Sequence, residues 1–165
     1  MDKYCTLVFL RHNDEILLAM KKRGFGAGHW NGVGGKIEPH ETIEQAIVRE
    51  TQEEIHVTPL SWQKVAEHDF LMDSDTDTSW HMYVHAYICD EWRGEPTESE
   101  EMKPQWFTCD SIPFEKMWPD DIHWLPQVLA NQKVVGEYSF SQTNQLLAHN
   151  VQSVARLPGR IPTRA

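Results

Sequence analysis

Gly35 to Val57 reads GKIEPHETIEQAIVRETQEEIHV and sets Glu41, Arg49, Glu50, Glu53 and Glu54 into a loop followed by a helix. Ile47, Thr51 and Ile55 recur every four residues and mark the inward stripe of that helix, expected from about Thr42 to Ile55 with glutamate in its first turn, as the helix dipole prefers. At about 100° per residue, Glu50, Glu53 and Glu54 crowd onto roughly one third of the circumference. Like charges so placed raise one another's pKa or cost stability unless a cation or an arginine sits among them, and hard oxygen donors suit Mg²⁺ or Mn²⁺. The alternative is a solvated acidic face with no ligand.

Working outward, Tyr4 to Leu10 and Ile16 to Met20 are apolar runs joined by Asn13-Asp14, the pattern of a hairpin. RGFGAGHWNGVGGK, from Arg23 to Lys36, is glycine-rich, but Trp30 and Ile37 stand where a P-loop needs Gly and Ser or Thr, so the glycines are expected to serve turns. From Trp80 to Cys89 apolar and polar residues alternate as on a strand, which puts His81 and His85 on one sheet face as ordinary sheet residues rather than a helical metal pair. Asp73 to Ser79 and Glu91 to Glu101 read as polar connections. Trp106-Phe107 resumes a strand, Pro113 starts a short helical turn, Pro119 opens a helix to about Asn131, and Val134 to Phe140 forms another strand. Gln145 to Val154 fits either period. Arg156 to Ala165 reads as a flexible tail behind a single domain spanning 1–155.

The 165 residues are 40% hydrophobic with seven tryptophans, enough for one sizeable core. A net charge of −10 disfavours a polymeric nucleic acid, which needs clustered Lys and Arg, and leaves small phosphorylated ligands open. The first residues, MDKYCTLVFLRHNDE, have too short an apolar run for a secretory signal or membrane span, so a cytoplasmic protein is expected. Cys5, Cys89 and Cys109 are odd in number and scattered, forming neither a disulfide framework nor a zinc pattern. A monomer is the default.

Gly35, Glu41, Arg49-Glu50 and Glu53-Glu54, at their spacing, resemble the signature of the Nudix hydrolases. Thr51 and His56 depart from it, where an aliphatic residue and a glycine are usual. Neither position carries chemistry: Thr51 buries one hydroxyl, and His56 must adopt a left-handed cap at about 1 kcal/mol. Further along, TESEEMKP from Thr97, Trp106-Phe107, and Met117-Trp118-Pro119-Asp120-Asp121 resemble the oxidised-purine nucleoside triphosphate diphosphatases, the 8-oxo-dGTPase branch; MKKRGFGAG from Met20 and Trp30-Asn31-Gly32 agree. The resemblance covers about Tyr4 to Val154, favours a strand at Gln145 to Val154, and leaves extra length around Asp73 to Ser79.

This resemblance implies an α/β/α sandwich, with a mixed, curved sheet between the acidic helix and the helix after Pro119. It also implies Mg²⁺-dependent hydrolysis, with Mn²⁺ as a substitute, of a purine nucleoside triphosphate to the monophosphate and pyrophosphate. Glu50, Glu53, Glu54 and the Gly35 carbonyl would hold the metal, Glu101 would be a further ligand or general base, and Arg49 would orient glutamates. Thr6, Lys21, Phe25, Asn31, Phe70, Met82, Met102, Trp118, Asp120 and Asp121 would contact substrate. Two adjacent buried carboxyls at 120 and 121 would share a proton near neutrality and so both donate and accept towards a base, while Asn31 offers an amide and Trp118 and Phe70 offer stacking faces. Taken singly, the aromatics also read as core and the Asp pair as a helix N-terminus. The competing functions are a Nudix pyrophosphatase for another nucleotide derivative and a non-catalytic nucleotide-binding module.

Overall fold

The computed structural model describes residues 1–74 and 78–164. The expected hairpin forms from β1 (Lys3–His12) and β2 (Glu15–Lys21), with Asn13 in the left-handed region at φ 56°. Their ladder holds only near the turn, at Arg11↔Ile16 and His12↔Glu15, after which the strands part. The segment around Val33 fills the gap beside β1, exchanging N–H···O bonds with Val8 at 2.6 and 2.9 Å. Beyond that gap β2 pairs with β3 (Trp30–Asn31) along the same edge, and its opposite edge pairs with β8 (Met102–Thr108).

β1 runs parallel to β6 (Trp80–Cys89), which pairs antiparallel with β5 (Gln63–Met72). β5 is parallel to β9 (Lys133–Phe140), and β10 (Leu146–Val154) closes the edge. The sheet is therefore mixed. Two-residue strands β4 (Thr58–Pro59) and β7 (Trp92–Arg93) pair, β7 lying inside the Glu91 to Glu101 stretch expected as a plain connection. The extra loop at Asp73 to Ser79 falls partly outside the described residues.

The alternation along β6 sends Val84, Ala86 and Ile88 into one core and Tyr87 and Cys89 into another on the opposite face. Helix α1 (Ile43–Ile55) seals the second core with Ile47 and Ile55, and α2 (Asp121–Leu129) seals the first with Trp124, Leu125 and Val128. This is the α/β/α sandwich. Thr42 caps α1 in a reciprocal box with Gln45, satisfying two otherwise orphaned N–H groups. The buried Thr51 hydroxyl donates to Ile47 O at 2.7 Å, so its polarity is answered, and His56 takes the left-handed cap at φ 62°, ψ 34°. Helix α2 stops at Leu129, short of the expected Asn131, which instead turns the chain at φ 65°.

A 3-10 turn at Phe114–Lys116 follows Pro113. The three cysteines are free thiols. The segment expected as a tail lies back on the sheet: Gly159 N–H donates to Glu67 Oε1 at 2.9 Å, and His85 Nε2 meets Pro162 O at 3.1 Å. His85 is thus buried under this segment, while His81 sits 2.6 Å from Asp69 Oδ1. Among the described residues no helix is long and apolar enough to cross a membrane.

Candidate active site

The parting of β1 from β2 leaves a cavity of about 320 Å³ between the sheet and the chain before α2. All ten residues expected to contact substrate border it. β1 brings Thr6 and β2 brings Lys21; Phe25 and Asn31 come from the glycine-rich turn and β3; Phe70 and Met82 come from β5 and β6. Met102 begins β8, and Trp118, Asp120 and Asp121 lead into α2. Phe140 joins the two expected stacking residues, lying edge-on to Trp118 at 6.0 Å and tilted to Phe70 at 5.9 Å. Asn31 Oδ1 accepts from Gly32 N–H at 2.8 Å, which leaves its amide N–H₂ available.

Asp120 and Asp121 are 4% and 3% exposed. Asp120 stands at the N-cap position of α2 but makes no cap bond; its Oδ2 accepts from Trp124 Nε1 at 2.9 Å. Burial drives both carboxyls upward, Asp121 the further because the Asp120 charge and the hydrogen bond between them add to it. Near neutrality the pair holds a proton between them, and Asp121 Oδ2 has no hydrogen-bond partner.

The acidic helix lies beyond the opposite wall. Arg49 grips Glu41 through both carboxylate oxygens, at 2.6 and 2.8 Å, and reaches Lys36 O at 3.0 Å, Glu50 Oε1 at 2.9 Å and Glu53 Oε2 at 3.4 Å. Glu54 is buried, its Oε1 accepting from Gly34 N–H at 2.7 Å. Burial outweighs that bond and pushes its carboxyl up to about 8, with the charges of Glu50 and Glu101 adding and Lys21 opposing. Burial also raises Glu50 despite Arg49. A Cβ at Gly35 would stand 2.6 Å from Glu50 Oε1, so only glycine lets the backbone approach this carboxylate. Glu101 is half-exposed and 3.3 Å from Arg23.

Among the described residues no three His, Cys, Asp or Glu groups converge as they stand on one ion position. Glu50 and Glu53 are turned onto Arg49 and Glu54 onto Gly34, so binding a cation requires these carboxylates to swing. The donor chemistry still fits a hard divalent ion: buried, mutually repelling carboxylates beside an accessible backbone are what such an ion would relieve. Gly34 and Gly35 belong to both places, since they border the cavity and contact the glutamates.

Several bordering residues were not legible in sequence. Lys3 and Lys36 join Lys21 at the cavity, giving a cationic border on a chain of charge −10. His29 stacks on Trp118 at 4.8 Å and 15°. His68, on β5, is bonded to Tyr138. These meet only through strand pairings far apart in the chain, and no local spacing signals them.

The model of the NUDIX domain matches residues 2–128. The chain is 43% identical over 155 residues to the oxidized purine nucleoside triphosphate hydrolase of Danio rerio, covering 94% of this chain and 97% of that protein. To the protein of the same name from Mus musculus it is 42% identical over 149 residues, covering 90% and 94%. The crystal structure of the MutT protein from Bacillus halodurans superposes with a TM-score of 0.78 at 23% identity, over 90% of this chain and 97% of that one, a likeness of fold.

Proposed function

The chain belongs to the NUDIX domain family, and from that premise we propose that it hydrolyses oxidised purine nucleoside triphosphates, such as 8-oxo-dGTP or 2-hydroxy-dATP, to the monophosphate and pyrophosphate. The observation that carries this reading is the shared backbone: Gly34 and Gly35 wall a base-sized cavity on one side and hold Glu54 and Glu50 on the other. A base seated in the cavity therefore has its phosphates directed along that backbone towards the glutamates. Names of relatives that act on oxidised purine triphosphates support the same substrate class.

Glu50, Glu53 and Glu54, with the Gly35 carbonyl, would hold Mg²⁺, or Mn²⁺ in its place. The ion's contribution is to neutralise phosphate charge and to acidify the attacking water. Arg49 pairs with Glu41, Glu50 and Glu53 and so keeps these carboxylates gathered beside Gly35, from where Glu50 and Glu53 would turn onto the ion. Lys21 and Lys36 offer positive charge to the phosphates at the border of the cavity. Phe70 and Trp118 provide apolar wall for the base, with stacking worth roughly 1–3 kcal/mol. The Asp120–Asp121 pair, holding one proton, presents a donor and an acceptor, and the Asn31 amide presents a second donor. Glu101 is a further ligand or general base. In this reading the chain acts as a cytoplasmic monomer that clears damaged nucleotides before polymerases use them.

The test is to incubate the protein with 8-oxo-dGTP and Mg²⁺ and to measure pyrophosphate. Stoichiometric monophosphate and pyrophosphate, abolished by a chelator, are expected. Nucleotide binding without pyrophosphate would mark a silent binding module instead, and release of orthophosphate would place cleavage at the wrong bond.

A further inference from the structure

His68 is fully buried, yet it borders the cavity from the first core. One ring nitrogen is accounted for: Nδ1 lies 3.0 Å from the Tyr138 hydroxyl. Nε2 has no partner. A phenol is a better proton donor than a neutral imidazole N–H, and a bare imidazole nitrogen is a better acceptor than a phenol oxygen, so Tyr138 donates to Nδ1. The ring proton is then on Nε2, a donor with no acceptor. Burial keeps the imidazole neutral by pushing its pKa down to about 3, so the charge does not change in the working range. The ring is wedged by Trp124 at 4.3 Å and Phe70 at 5.7 Å between centroids, which fixes the direction of Nε2.

Buried donors left unmade are rare and costly. Two more orphans border the same cavity, Thr6 Oγ1 and Asp121 Oδ2. Three unanswered polar groups on three different elements around one cavity point to one polar occupant that answers them together. We propose that His68 is a specificity-determining residue that donates its Nε2–H to an acceptor atom, a carbonyl oxygen or a ring nitrogen, of the base held in this cavity. The proposal rests on the reading above in one respect, that a purine base is the occupant.

The experiment titrates 8-oxo-dGMP, without metal, by calorimetry into the wild type and three variants. His68→Gln places an amide N–H where Nε2–H stands, His68→Asn places one where Nδ1 stands, and His68→Leu supplies neither. Leu and Asn are expected to weaken binding between about three- and tenfold, the size of one net hydrogen bond, while Gln stays within about twofold. Wild-type affinity in His68→Leu, or equal losses in all three, overturns the proposal. Since a variant can fail to fold, the wild type is also followed by ¹⁵N–¹H correlation of its histidine rings. The Nε2–H signal of His68 is expected to move on saturation, and an unmoved signal overturns the proposal. Pyrophosphate release from 8-oxo-dGTP is scored separately: base binding without hydrolysis sinks the hydrolase and spares His68, hydrolysis with binding indifferent to His68 does the reverse, and no binding by the wild type overturns both.

Discussion

Gly35→Ala is the sharpest single perturbation of the hydrolytic machinery. The added methyl would stand 2.6 Å from Glu50 Oε1, 2.8 Å from its Cδ and 2.9 Å from its Oε2, all inside the 3.4 Å at which ordinary contact begins. The shortest approach falls short by about 0.8 Å. What it meets is the end of a flexible side chain, so the fold survives and the carboxylate gives way. Glu50 is then pushed off its 2.9 Å bond to Arg49 and denied the space beside Gly35 from which it would swing onto an ion. The cost in stability is about 1–2 kcal/mol, one charge-assisted bond between partly buried groups. Turnover suffers far more, since misplacing a group by about 1 Å can cost on the order of 10²-fold. Pyrophosphate release at saturating Mg²⁺ is measured beside thermal unfolding of the same preparation. A fall of about a hundredfold with the unfolding midpoint shifted by only a few degrees is the expected outcome. Near-normal turnover would refute the view that Glu50 needs the space beside Gly35 to reach the ion.

Glu54→Gln keeps an oxygen for Gly34 N–H and removes a buried carboxyl that is costly to ionise, so the protein should fold as well as the wild type while turnover drops by orders of magnitude; activity within a few-fold of wild type would release Glu54 from the site. Base binding should weaken as pH rises through the raised range of the Asp120–Asp121 pair, because the shared proton is then lost, and Asp121→Asn should flatten that dependence; a variant with the wild-type pH profile excludes the pair as reader. His68 and His85 are buried with pKa values lowered to about 3 and about 4, so each contributes stability that is present above the unfolded pKa near 6.5 and lost as pH falls below it towards those values. Denaturant titrations at pH 7.5 and 4.5 should differ by roughly 2–3 kcal/mol per histidine, at about 1.4 kcal/mol per pH unit, and His85→Gln should remove its share of that fall; an equal fall between the two pH values in wild type and variant would contradict the neutral burial of His85.

Much of the fold was legible because its signals are local. Thr42 at the cap, the Ile47–Thr51–Ile55 stripe and the left-handed residue at 56 define α1 within a few turns of chain. The alternation of β6 predicted the strand and which residues share a face, though not that both faces would cover a core. β10 was ambiguous because, as an edge strand, it is half or fully exposed along its length and has no apolar face to set a period. β4 and β7 are two residues each, too short to carry any pattern. At the cavity, the substrate-facing residues were reached through family likeness to motifs clustered in sequence. His29, His68, Tyr138 and the lysines at 3 and 36 were not: His29 and Lys36 stand inside stretches read for other residues, and none of the five carries a spacing that marks it before the strands and the glycine-rich turn meet in space.

The two hydrophobic cores lie on opposite faces of one sheet, and the parts of the site divide between them: Phe70, Trp124 and Tyr138 belong to one, the anchoring isoleucines of α1 to the other. Substitutions that reshape what the protein accepts can therefore accumulate in one hydrophobic layer without loosening the helix that delivers the glutamates. Choice of nucleotide and cleavage of its anhydride bond are largely separately heritable traits here, joined by a pair of glycines and by Met102, which borders the cavity yet packs with the isoleucines of α1.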